Sequence, residues 1–397
     1  MSDNSNLGIA RSAKNDEFYT QYDDIQKEVN CYVDYNPDVF RGKTVLLPCD
    51  DPEWSNFTRF FAQNFERFGL KKLISTSYAV ESKLYKDYEP TLFETESPLF
   101  DEDKTRVKGK IFILDSDTNH SGHIDIHDLT WNYLEGDGDF RSAEVKKLRD
   151  EADLIVTNPP FSLIREFIAW TLESGKMFLI LGNQNVISYK DVFPHIKANK
   201  IWLGNHSGHT LFEVPTSSSI PESYDKEDTK RLKSNGYIID KNGKLWRNLG
   251  NICWFTNIDH GRRHQPLQLL TMAENIKYSK HPNVRGQQYV KYDNYDALEV
   301  PYYDAIPSDY EGVMGVPLSF LEKHCPEQYE IVTLGIGEDF LMPTKFYKYF
   351  ADPVTGIPNK EKRDYHLWVR REDGKYLTDL GYRVSGVFSR IMIKKKI

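Results

Sequence analysis

Along the first half of the chain, short uninterrupted apolar runs alternate with stretches whose apolar residues recur every three or four positions. The runs are KTVLLP (43–48), KKLISTSY (71–78), GKIFILD (109–115), ADLIVTNPPF (152–161), which runs into a turn, and KMFLILG (176–182). Continuous apolar runs of this length predict strands buried on both faces. Between the first two, NFTRFFAQNFERFG sets Phe57, Phe60, Phe61, Phe65 and Phe68 at helical spacing, with Gly69 as the stop. SLIREFIAWTLESG (162–175) predicts another helix, closed by Gly175. Strands alternating with helices predict an α/β fold with a mostly parallel sheet covered by helices.

The rhythm is lost after about residue 188. HTLFEV, GYIID and NICWFTNI predict strands separated by polar loops, and 215–236 is almost wholly polar. Tyr-rich loops (YVKYDNYDALEVPYYD) follow, then a last strand in SGVFSRIMIKKKI. The expected organisation is a core over 1–187, the rest of the core sheet with a mixed α+β recognition region over 188–330, and an extension of that region over 331–397.

Composition narrows the class. With 39% hydrophobic and 28% charged residues the 397-residue chain is globular. Its four cysteines, Cys31, Cys49, Cys253 and Cys325, form no CxxC pair, as in a reducing, cytoplasmic compartment. The N-terminal MSDNSNLGIARSAKND has no apolar core, so a signal peptide is not expected, nor is a membrane span. The net charge of −8 is unevenly spread: residues 188–290 carry 15 Lys/Arg against 9 Asp/Glu. A local basic face in an acidic protein fits a nucleic acid partner.

The chemistry points to one turn. Asn158-Pro159-Pro160-Phe161 follows a buried strand, at the edge where parallel sheets place ligands. The Asn158 side-chain oxygen and the Pro159 carbonyl can accept both hydrogens of one exocyclic amine, while Phe161 offers a face for a planar base. Upstream, Asp139 and Phe140 form a second strand-loop candidate that can grip another adenine. D-T-N-H-S-G-H-I-D-I-H-D (117–128) spaces Asp117, Asn119, Ser121 and Asp128 like an EF-hand loop, but Asp128 stands where a bidentate Glu is needed. A polar turn without metal is the expectation there. In the basic segment, Arg262, Arg263, Arg285 and Gln287 are candidate DNA contacts.

The GDF segment followed by D-L-I-x-x-N-P-P-F resembles the motifs of adenine amino-methyltransferases. KNDEFYTQ (14–21), VLLPCDDPEWSNF (45–57) and NICWFTNIDH (251–260) resemble the EcoRI-type branch. The resemblance implies a Rossmann-like methyltransferase fold, S-adenosyl-L-methionine as cofactor, and transfer to adenine N6 in double-stranded DNA. It implies cofactor contacts from Lys14, Phe18, Tyr19 and Thr20, from Pro48, Cys49, Asp50 and Asp51, and from Asp139, Phe140 and Asn158. Two departures stand out: the first loop lacks the usual glycines, and the second strand ends in Ser77-Tyr78 instead of an acidic residue. An RNA or protein-glutamine acceptor, or a DNA-binding relative without catalysis, stay open as alternatives.

Overall fold

The structure is a computed structural model, described here for all residues except 1–19, 51–54, 80–96, 215–232, 234–235, 360–362 and 397. The chain divides into two compact units, Met1–Val186 with Trp202–His260, and Ile187–Ile201 with Gly261–Ile397. The stretch expected to hold recognition, 188–330, is therefore split between them. No helix of the described residues is long and apolar enough to cross a membrane.

Unit 1 is built on a nine-stranded sheet. Its strands are β1 (Thr44–Leu47), β2 (Lys72–Ser77), β3 (Lys110–Leu114), β4 (Thr130–Tyr133), β5 (Leu154–Thr157), β6 (Met177–Asn183), β7 (Trp202–Glu213), β8 (Tyr237–Ile239) and β9 (Leu245–Thr256). The order is β4-β3-β2-β1-β5-β6-β9-β7, with β8 also on β9. The four central strands, β2-β1-β5-β6, are parallel, which is where the apolar runs are least interrupted. The flanks are antiparallel, β3 included. The chain leaves β1 toward β2 and later returns to its other side as β5, so the sheet has its switch point between β1 and β5.

Helices cover both faces: α1 (Tyr22–Tyr35), α2 (Asn56–Gln63), α3 (Phe65–Phe68), α4 (Glu102–Val107), α5 (Ala143–Glu151) and α6 (Ile164–Ser174). Strand alternation sends Val45, Leu47, Leu154, Val156, Leu179 and Leu181 into one core with Ile25, Val29, Phe57, Phe60 and Phe61. The phenylalanine periodicity of α2 and α3 thus becomes a buried aromatic cluster, and Gly69 ends α3 in the left-handed conformation. Helix α1, unmarked by the apolar-run pattern, is pinned to β7 by the fully buried carboxylate of Glu28. It accepts from the amides of Asn205 and His206, both at 2.8 Å, and from the Tyr32 hydroxyl.

Unit 2 contains α7 (Phe193–Lys197), α8 (Met272–Tyr278) and nine short strands: β10 (Leu298–Glu299), β11 (Met314–Pro317), β12 (Tyr329–Leu334), β13 (Phe350–Ala351), β14 (Pro358–Asn359), β15 (Trp368–Arg370), β16 (Tyr376–Thr378), β17 (Arg383–Gly386) and β18 (Arg390–Lys395). They form a four-stranded sheet, β10-β11-β18-β12, and a five-stranded one, β14-β13-β16-β17-β15. Asp293 ties the segment before β10 to the second sheet. Its carboxylate receives Lys345 Nζ at 3.0 Å, Arg370 Nε at 2.5 Å and the hydroxyls of Tyr347 and Tyr382.

Candidate active site

The loop after β1 turns on Asp50. Its backbone N–H donates to Thr76 O at the end of β2, and its carbonyl accepts from the hydroxyls of Thr58 and Ser75. Its carboxylate, 4% exposed, accepts from Ser55 Oγ at 2.7 Å and from Thr157 Oγ1 at 2.5 Å. Ser55 in turn caps α2 by accepting from the Phe57 amide. The resemblance implies cofactor contacts from Asp50 and Asp51. In the structure that carboxylate joins the β1 loop to the last residue of β5. Thr157 immediately precedes Asn158, and neither it nor Ser55 carries a signal in the sequence, because their role depends on a partner distant along the chain.

Asn158 begins the turn at the C-terminal end of β5. Pro159 is buried, Asn158, Pro160 and Phe161 are partly exposed, and a 3-10 turn from Phe161 leads into α6. Pro160 at φ −53° and ψ 124° stiffens the exit. Phe161 meets the edge of Phe212 on β7, with ring centroids 6.0 Å apart. Strand β9 pairs with the end of β6 at Ile252–Asn183 but begins seven residues earlier, at Leu245. The β7–β9 pair therefore overshoots the sheet edge and forms a wall beside the turn.

The GDF loop packs against the end of β2. The amide of Ala79 donates to Asp137 O, and Gly138 has φ +84° with Ser77 O lying 2.2 Å from where a Cβ would stand. Only glycine fits there. Asp139 accepts the guanidinium of Arg141, which also donates to Glu166 on α6 at 2.8 Å. Phe140 is fully buried, edge-on to Phe167 and Trp170 of α6. The buried ring fastens this loop to the helix that follows the Asn158 turn.

The strand ends thus bring together Pro48, Cys49, Asp50, Tyr78, Asp139 and Asn158. Among the oxygens buried in this region are Tyr78 Oη, which faces the Phe140 backbone amide, and Thr20 Oγ1, which makes no hydrogen bond. Thr20 is placed by its carbonyl, which accepts from Asn56 Nδ2 on α2 at 2.8 Å. Burial, and the nearby Cys49 and Asp139, push the Tyr78 phenol far above its ordinary pKa, so it stays a donor. Buried polar groups left unsatisfied are costly, and a ligand carrying hydroxyl and amine groups would satisfy these. The site therefore fits an adenosyl cofactor. Lys14, Phe18, Tyr19 and Asp51 lie outside the described residues.

Away from the site, the 117–128 loop is closed on itself. Asp128 accepts from the amides of Thr118, Asn119 and Asp125, and Asp117 from those of Ser121 and Gly122. No cluster of metal ligands occurs among the described residues. Of the candidate DNA contacts, Arg285 and Gln287 are exposed and Arg262 partly so. Arg263 is 7% exposed, with its guanidinium donating to Asn199 Oδ1 at 2.6 Å inside unit 2.

Comparison with known proteins agrees with this geometry. A profile of the family described as adenine-specific methyltransferase EcoRI matches residues 6–396. The type II methyltransferase M.EcoRI of Escherichia coli is 39% identical over 336 residues, 85% of this chain and 91% of its own. M.MpnI of Mycoplasma pneumoniae is 34% identical over 324 residues, covering 81% and 83%. M.MgeORF184P of Mycoplasma genitalium is 34% identical over 357 residues, covering 89% and 95%. No solved structure matches significantly. With the family profile spanning nearly the whole chain and the Asn158 turn set at the switch point of its sheet, the chain belongs to the EcoRI-type adenine-specific methyltransferases.

Proposed function

We propose that the chain transfers the methyl group of S-adenosylmethionine to N6 of an adenine flipped out of a specific double-stranded DNA sequence. The observation that carries this is the Asn158-Pro159 turn at the C-terminal end of β5, braced through Thr157 to the loop after β1. When bound, the cofactor supplies an electrophilic methyl on a sulfonium. Tyr78, Thr20, Cys49 and Asp139 would hold it, Asp139 through oxygen lone pairs that Arg141 leaves open.

Adenine N6 is a weak nucleophile because its lone pair is delocalised into the ring. Asn158 Oδ1 and the Pro159 carbonyl accept its two hydrogens and draw the nitrogen toward a tetrahedral geometry. Alignment with the methyl supplies most of the advantage. The acceptors bind more strongly as positive charge grows on N6, so they favour the transition state over the ground state. Flipping costs a few kcal/mol, offset where the base stacks on Phe161 between the turn and the β7–β9 wall. The type II names of the relatives fit a role in restriction–modification.

The test is product identity. Purified protein, labelled cofactor and bacterial DNA should yield N6-methyldeoxyadenosine on nuclease digestion. Label in RNA or in protein glutamine, with none in DNA, would overturn the assignment.

A further inference from the structure

Two segments far apart in sequence, Pro282–Val290 and the end of β15 with Arg371, face each other across a cavity of about 420 Å³ inside unit 2. That size is ordinary for a site that recognises a small planar group. Val284, Val290 and Val369 give it apolar walls, and Asn283, Gln287, Gln288 and Arg371 line it with polar groups. All four polar residues are exposed, and none of their side chains makes a hydrogen bond or ion pair.

The other charged groups at the cavity are committed. Arg370 donates to Asp293 and lies over the Tyr382 ring at 3.9 Å. Glu299 receives the guanidinium of Arg390 and the Tyr292 hydroxyl. These contacts fix the walls and neutralise the one acid that lines the cavity. They leave three amides and one guanidinium with no structural duty. Amides present a donor and an acceptor together and match adenine N6 and N7. A guanidinium fork matches guanine O6 and N7, and an apolar wall suits a thymine methyl. The combination is that of base-edge reading, whereas a phosphate track would call for several free cations.

We propose that this cavity reads base edges of the DNA target, and that Asn283, Gln287, Gln288 and Arg371 jointly set which sequence is methylated. The inference rests on the methyltransferase reading above. It joins residues of the 188–330 stretch and of the C-terminal extension in one reading site.

The full chain, wild type and with Gln287→Ala, Gln288→Ala, Arg371→Ala or Arg371→Lys, is expressed in a host without adenine methylation, and N6-methyladenine is mapped across its DNA. Wild type should mark one motif. Each variant should also mark sequences differing at a single position, with discrimination there lowered about 10-fold or more. Arg371→Lys should relax the same position as Arg371→Ala, because it keeps the charge and loses the fork. Calorimetry with S-adenosylhomocysteine should give wild-type affinity for every variant, which establishes that each is folded. An unchanged motif in all variants overturns the proposal. So does methylation that falls equally at all sites, the signature of a phosphate contact. A wild type that leaves no N6-methyladenine overturns the activity reading instead, before any variant is compared.

Discussion

In the proposed mechanism, replacing Asn158 by Ala removes the side-chain oxygen that accepts from the reacting amine, while the strand before it keeps its sequence. Methyl transfer should fall at least about 100-fold, on the order of 3 kcal/mol, with S-adenosylhomocysteine binding retained. Single-turnover kinetics beside calorimetry separates the two, and near-normal turnover in a folded variant would remove Asn158 from the chemistry. Tyr78→Phe makes the opposite split. Deleting one buried hydroxyl without changing shape should weaken cofactor binding about 3- to 10-fold and leave DNA binding alone; equal affinity would show that the hydroxyl faces no ligand. The Asn158 turn was legible in the sequence because two prolines after an apolar run mark a strand end unambiguously. The duty of Asp50 was not, since Thr157, its partner, lies 107 residues away. The packing of Phe140 was hidden for a related reason: an aromatic beside a loop carboxylate gives no sign of which way its ring packs.

At the scale of elements, legibility followed strand length and environment. The central strands β1, β5 and β6 are buried along almost their whole length, so their apolar runs stood out. The strands of unit 2 are two to six residues long, so that most leave too little pattern to read, β18 with its buried Ile391–Ile393 run excepted. Asp293 is the centre of a side-chain network there. Burial alone would raise its pKa, but hydrogen bonds from Tyr347, Tyr382, Lys345 and Arg370 outweigh that and hold it at about 2. A carboxyl depressed on folding contributes stability above its unfolded pKa, and that contribution is lost as pH falls through the folded value. Unit 2 should therefore hold its native signal down to about pH 4 and lose stability between there and pH 2. Asp293→Asn should lower the melting temperature at pH 7 and flatten this acid limb; a limb of unchanged slope would place the acid sensitivity elsewhere.

For the whole molecule, the acidic total conceals a division of labour. Unit 1 carries 28 Lys/Arg against 40 Asp/Glu, and unit 2 carries 23 against 19. Attraction to DNA should come from unit 2 and weaken steeply with salt. Arg285→Ala, at an exposed position, should reduce the slope of log affinity against log salt by about one and lower affinity for all sequences alike. Fluorescence titrations at several salt concentrations would show it, and an unchanged slope would mean that Arg285 meets no phosphate. The Asp50 carboxylate, holding Ser55 and Thr157 at once, bears on how this enzyme fails when heated. Because donor loop and acceptor turn share that anchor, neither can loosen while the other stays in place. Warming should extinguish cofactor binding and methyl transfer at one temperature, with no interval in which the protein still holds its donor but has lost the means to use it.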